Sequence, residues 1–222
     1  MIKLKKIEEP QVLVDNGKLW TETLVNKAAA GEVPTPTEKT RYRNSYIKEA
    51  LVRETSGKCA YCESKLQHIH HGDVEHIMPK SLDLSKILEW EHLTLACEIC
   101  NQNKSNLDPN SAHIIDPYTD DPRDHLAFTG SMILSKGTEK GTCSRTILDL
   151  NRGDLMERRQ EKLAGLTTIA EIVFRNDLPL PARRAMFANL KTSDACATAA
   201  YSAMSLAFVD QLAQVLPGEV TS

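Results

Sequence analysis

Two Cys-x-x-Cys pairs, Cys59 with Cys62 and Cys97 with Cys100, stand either side of a 34-residue insert and constrain this chain more than any other feature. Each pair suits a tight knuckle that turns two sulfurs to one side, and two such knuckles brought together form the tetrahedral four-thiolate shell preferred by Zn2+. Four sulfurs leave no open coordination position, so the expected zinc is structural. The alternative use of six cysteines, a disulfide framework, belongs to oxidising compartments. The N-terminal stretch MIKLKKIEEP lacks the apolar centre of a signal peptide. No apolar run approaches the roughly 18 residues of a membrane span. The expectation is a cytoplasmic protein with reduced thiols and no membrane association.

The chain has 222 residues, enough for one sizeable core or a small module with a helical companion. Its net charge of -3 removes any bulk attraction to phosphate, so nucleic-acid contacts would have to come from a local basic patch. Residues 1–34 show no sustained period and end in AAAGEVPTP, which reads as a loosely packed arm and a candidate for partner docking. Thr35, Pro36 and Glu38 then form a capping box that predicts a helix running to about Ser56. Tyr46, Ile47, Ala50 and Leu51 give that helix an apolar stripe. Lys39, Arg41, Arg43, Lys48 and Arg53 read as its solvated face.

Between the cysteine pairs, Asp73–Ile77 alternates like a short strand, with Glu75 and Ile77 on one face, Val74 and His76 on the other, and Pro79 ending it. Leu93–Ala96 reads as a second strand, and a helix is expected to open after Cys100 with Asn101 near its start. The histidines of QHIHHG, His68, His70 and His71, read as exposed loop residues. IIDPYTDDPRDH reads as an acidic loop. From about Asn151 the chain is expected to be helical, with one stripe of Leu163, Leu166, Ala170 and Val173 and another of Ala197, Tyr201, Met204, Phe208 and Leu212, separated by Pro179 and Pro181.

The order C-x-x-C, Glu75-His76-x-x-Pro79-Lys80-Ser81, then C-x-x-C-Asn101-x-x-Lys104 resembles the zinc-stapled HNH endonucleases of the ββα-metal fold over residues 58–107. IIDPYTDDP and TILDLNRGDLMERRQ resemble the HNH subunits of Septu and retron-linked phage-defence systems, the Ptu type B proteins. The resemblance implies a fold that is mainly α with a small ββα-metal (HNH) module stapled by a four-cysteine zinc site. It divides the chain into the arm, an HNH module with its leading helix at 35–115, and a mainly helical region at 116–222. It also implies roles: His76 as general base, Glu75 and Asn101 as ligands of a catalytic Mg2+ or Mn2+, and Lys80 and Lys104 as phosphate contacts. His92 occupies a position usually held by Asn, and is expected to brace the base as a neutral imidazole without binding metal. The implied function is hydrolysis of nucleic acid, DNA above RNA, by an effector working with an ABC-type ATPase subunit. The alternative is a catalytically impaired HNH-like zinc module acting as a binding or adaptor protein, and His92 is the residue that favours it.

Overall fold

A computed structural model describes residues 1–66 and 71–221. His68 and His70 lie outside the described residues, and His71 is exposed.

The first 34 residues are not a loose arm. Met1 and Leu4 are buried, and the Leu4 amide donates to the Pro117 carbonyl at 2.8 Å. Lys6 reaches the Leu93 carbonyl and lies over the rings of Trp90 and Tyr118. Helix α1 (Gln11–Ala29) then buries Leu13, Gly17 and Leu24 on a single face. That face is only three residues wide and Pro10 offers no side-chain cap, which is why the pattern is faint in the sequence.

The capping box forms as expected: the Glu38 amide donates to Thr35 Oγ1 at 3.2 Å and the Thr35 amide to Glu38 Oε2 at 2.7 Å. The helix it starts is short, however. Helix α2 (Pro36–Thr40) gives way to a 3-10 turn at Arg41–Arg43, and α3 (Ser45–Glu54) begins afresh. Asn44 causes the restart, because its side-chain oxygen accepts from the Tyr46 amide at 2.9 Å and caps a new helix. Ile47, Ala50 and Leu51 are fully buried, whereas Tyr46 is 65% exposed and drops out of the expected stripe.

Strands β1 (Asp73–His76) and β2 (Leu93–Ala96) pair antiparallel, with Asp73 opposite Ala96 and His76 opposite Leu93. Gly72 leads into β1 with φ +69°, and a Cβ there would stand 2.8 Å from a Leu95 methyl. Helix α4 (Glu98–Lys104) opens before Cys100, not after it, because Cys97 serves as its N-cap. The acidic stretch that follows is mostly irregular but ends in a short helix, α5 (Pro122–His125), capped by Asp121. Beyond it a hairpin of β3 (Leu126–Thr129) and β4 (Met132–Ser135) leads to α6 (Glu139–Ile147).

The C-terminal region is helical: α7 (Gly153–Phe174), α8 (Leu180–Asn189), α9 (Ser202–Val215) and α10 (Gly218–Thr221). Leu166, Ala170, Val173, Phe187, Val209 and Leu212 form a core of their own, separate from the larger core around β1, β2 and α3. Leu155 at the start of α7 and Met204 at the start of α9 belong to the larger core, so these two helices tie both together. Ala197 is not part of the second stripe, since Tyr201 sits in the left-handed region just ahead of α9. Among the described residues no helix is long and apolar enough to cross a membrane.

Candidate active site and metal centre

The sulfurs of Cys59, Cys62, Cys97 and Cys100 all lie within 4.8 Å of one another, and those of Cys62 and Cys97 are 3.9 Å apart. A tetrahedral shell with Zn–S bonds of about 2.3 Å needs sulfurs roughly 3.8 Å apart, so the four thiols fit zinc. Hydrogen bonding from Cys100 and Cys59 lowers the pKa of both Cys62 and Cys97, while burial raises that of Cys59 and hydrogen bonding to the other three sulfurs raises that of Cys100. Arg152, just ahead of α7, was not anticipated from the sequence. Its two Nη atoms stand 3.8 Å from the Cys100 and Cys97 sulfurs. Burial works against its charge, but the sulfurs of Cys100, Cys62 and Cys97 outweigh that and raise its pKa. With zinc bound, it would offset part of the surplus negative charge of four thiolates around a divalent ion.

A second set of buried polar groups fastens the first knuckle to the helical region. Lys58 Nζ donates to the carbonyls of Ala197 and Ala199 at 2.6 and 3.0 Å and stands 3.4 Å from Glu63. Glu63 in turn accepts from the Ser202 hydroxyl at 2.7 Å, and Ser64 Oγ and Tyr201 OH are 3.1 Å apart. An ammonium and a carboxylate, each only 2% exposed, are tolerable here because each has several partners.

On the far side of β1, a cavity of about 630 Å³ is lined by Asp73, Glu75, His76, Lys80 and Asn101. His76 Nε2 lies 3.0 Å from the Ile87 carbonyl. A carbonyl oxygen only accepts, so Nε2 carries the hydrogen and Nδ1 keeps its lone pair. Burial, together with the charges of Lys80 and Lys104, pushes the His76 pKa down to about 4, which leaves the ring neutral at pH 7. Tyr42 packs edge-on against this imidazole, with ring centroids 4.7 Å apart, and accepts a hydrogen bond from Lys80 at 2.8 Å. Nothing in its sequence position marked Tyr42 as a site residue.

Asn101 Nδ2 donates to Asp73 Oδ2 at 3.1 Å, which turns its Oδ1 away for another partner. Asp73 is a further residue the motif reading did not single out. Asp73, Glu75 and Asn101 line one cavity, and their carboxylate and amide oxygens are of the hard type that suits Mg2+ or Mn2+.

Two expected residues stand elsewhere. Lys104 is 1% exposed and cannot meet a phosphate from the surface. Its Nζ pairs with Glu75 Oε1 at 2.8 Å and donates to the His76 carbonyl at 2.9 Å. One helical turn after Asn101, it is carried inward because α4 lies across β1. Burial raises the Glu75 pKa, opposed by the Lys104 charge. The side chain of His92 is not among those lining the cavity. Its Nε2 lies 3.3 Å from Lys86 Nζ and 3.7 Å from Glu89, while its backbone carbonyl accepts from the Ile77 amide at 2.8 Å. A lysine ammonium only donates, so the ring nitrogen facing it is an acceptor.

The model of the HNH endonuclease family matches residues 59–107, the span from the first knuckle to the end of α4. Septu protein PtuB of Bacillus thuringiensis is 31% identical over 156 residues, covering 69% of this chain and 56% of that protein. Septu protein PtuB of Bacillus mycoides (strain KBAB4) is 28% identical over 198 residues, covering 72% and 66% respectively. The chain thus spans less than two thirds of either relative. Residues 59–107 are an HNH endonuclease domain with a four-cysteine site fit for zinc, set in a chain that resembles the Septu protein PtuB over 69% of its length.

Proposed function

We propose that the chain is a divalent-metal-dependent endonuclease subunit that hydrolyses phosphodiester bonds of nucleic acid, DNA above RNA. The observation that carries this reading is the convergence of Glu75, His76 and Asn101 on one cavity inside the matched HNH domain. Nδ1 of His76 takes the proton of the attacking water, and the Ile87 carbonyl holds the ring in the tautomer that leaves this nitrogen free. Glu75 and Asn101, with Asp73 beside them, offer oxygens to Mg2+ or Mn2+. Bound there, such an ion supplies charge stabilisation at the phosphate and the departing oxygen. Lys80, held over the Tyr42 ring, stands ready for a phosphate. Lys104 acts from beneath, as the counter-ion that opposes the rise in the Glu75 pKa that burial imposes.

The name carried by the two relatives supports a place in Septu defence, with a partner subunit, an ATPase in this reading, acting alongside the nuclease in the cytoplasm. Helix α1 offers a docking face for that partner, since Val14 and Val25, three turns apart on one side of it, remain 58% and 37% exposed. The adaptor alternative draws on His92 alone. Its side chain lies off the cavity, so the exchange of Asn for His takes no group from the water or metal positions. The test is incubation of the zinc-loaded chain with duplex DNA and Mg2+ or Mn2+, with and without the partner. Cleavage that vanishes in His76→Ala supports an enzyme, and its absence under all conditions supports an adaptor.

A further inference from the structure

Helix α3 and the 3-10 turn before it lie outside residues 59–107, yet they build one wall of the catalytic cavity. Tyr42, Arg43 and Lys48 line that cavity together with His76 and Asn101. Two neighbouring hollows share residues with it. One, of about 530 Å³, is lined by Trp20, Thr37, Thr40, Arg41, Arg43 and Asn44, and so joins the catalytic cavity at Arg43. The other, of about 410 Å³, is lined by Ser45, Lys48, Glu49, Val52, Arg53 and His71, and joins it at Lys48. Arg41, Arg43, Lys48 and Arg53 therefore mark one continuous band that crosses the cavity mouth.

Charge sets this band apart from the rest of a net acidic chain. Among the groups lining the catalytic cavity, Arg43, Lys48 and Lys80 oppose Asp73 and Glu75, and Glu75 is already matched by Lys104 from below. Among the described residues neither Arg43 nor Lys48 has a carboxylate within 4.0 Å. Arg41 lies over the Trp20 ring at 5.2 Å, and its buried Nη1 has no hydrogen-bond partner. Tyr46, which a core stripe would have hidden, stands exposed on α3, the helix that carries Lys48 and Arg53. Cations interleaved with aromatic rings are the surface chemistry of nucleic-acid backbones and bases.

We propose that Arg41, Arg43, Lys48 and Arg53 form a phosphate track that leads a nucleic-acid strand over His76, so that substrate binding is built by the leading segment and chemistry by the HNH domain. The proposal rests on the nuclease reading and names where its substrate lies. The phosphate grip comes from side chains that line the same cavity and its two neighbours but offer no oxygen to a metal. Neutralising two contacts should lower the salt dependence of binding by about 1.8 in the slope of log K against log salt, at roughly 0.9 per B-DNA phosphate contact.

The test uses full-length, zinc-loaded His76→Ala protein and a fluorescent 20-base-pair duplex, with the dissociation constant measured across a salt series. If His76→Ala misfolds, wild-type protein without added Mg2+ or Mn2+ takes its place. Arg43→Ala with Lys48→Ala is expected to weaken binding at least tenfold at low salt and to flatten the slope. Arg158→Ala with Arg175→Ala, an equal charge change on the exposed helical region, should do neither. Equal losses in both pairs, an unchanged constant in the first pair, or no binding by the parent each overturn the track. An unchanged constant alongside His76-dependent cleavage by the wild type leaves the nuclease reading standing, whereas Arg43- and Lys48-dependent binding without any cleavage removes that reading and keeps the track.

Discussion

The HNH domain and the α7–α10 region lie in one chain but are held together by different physics. In the domain, two four-residue strands and a seven-residue helix accompany buried charges: Glu63, Glu75 and Lys104 are each no more than 4% exposed, as is Lys58 just ahead of the domain. Leu93, Leu95, Ala96 and Trp90 belong to the larger apolar core, and a metal in the four-thiolate site would add a cross-link between the two knuckles that short elements lack. The helical region instead packs Leu166, Val173, Phe187, Val209 and Leu212 from long helices and needs no ion. The lesson is a division of labour, in which the domain sets buried charges and a thiol cluster beside the larger apolar core and the helices brace it.

The sharpest way to break this comparison is to remove the metal. Structural zinc sites contribute on the order of 10 kcal/mol to folding at neutral pH. Cys97→Ser should abolish zinc binding and cleavage and unfold the domain, while a large share of the α7–α10 helical signal survives in circular dichroism. A zinc-free variant that melts at the wild-type temperature would erase the distinction. Phe187→Ala should do the reverse. It removes a buried ring at a cost of about 3 to 5 kcal/mol, lowering the melting midpoint while one zinc per chain is retained. Loss of zinc in that variant would show that the two cores fold as one.

A smaller effect tests the domain's buried base. Because the His76 pKa falls from 6.5 to about 4, the folded state binds fewer protons than the unfolded state between those values. Stability should therefore decline as pH drops through that window, by up to roughly 3 kcal/mol if the shift is fully expressed. His76→Gln should flatten the decline in urea midpoints measured from pH 6.5 to 5. The same slope in both proteins would mean that the imidazole is not held neutral by burial. Smallest of all should be His92→Ala. Its side chain contacts Lys86 and Glu89 at the surface, so cleavage should fall less than in His76→Ala, and an equal loss of rate would give His92 a direct chemical part.

The same contrast explains what the sequence made legible. Cysteine pairs with flanking strands are written in fixed spacings, so the knuckles, β1, β2 and the capping box at Thr35 could be read in advance. The α7 stripe was equally plain because long helices repeat their period. What stayed hidden depends on contacts distant in sequence: Lys6 bonds Leu93, Arg152 reaches Cys97, and Lys104 turns inward to Glu75. Tyr42 was invisible for the same reason, since only the break at Asn44 brings its ring against His76. The β3–β4 hairpin escaped because two four-residue strands carry too little alternation to stand out.

The central claim is that His76 performs the chemistry while zinc only holds the fold. One paired measurement addresses it: cleavage of duplex DNA in Mg2+ or Mn2+ by wild type and His76→Ala, with zinc content and melting temperature recorded on the same preparations. The account predicts one zinc per chain and comparable folding in both proteins, with cleavage lowered by at least about a hundredfold in the variant, the range of a lost general base. Undiminished cleavage by a fully zinc-loaded His76→Ala protein would contradict it.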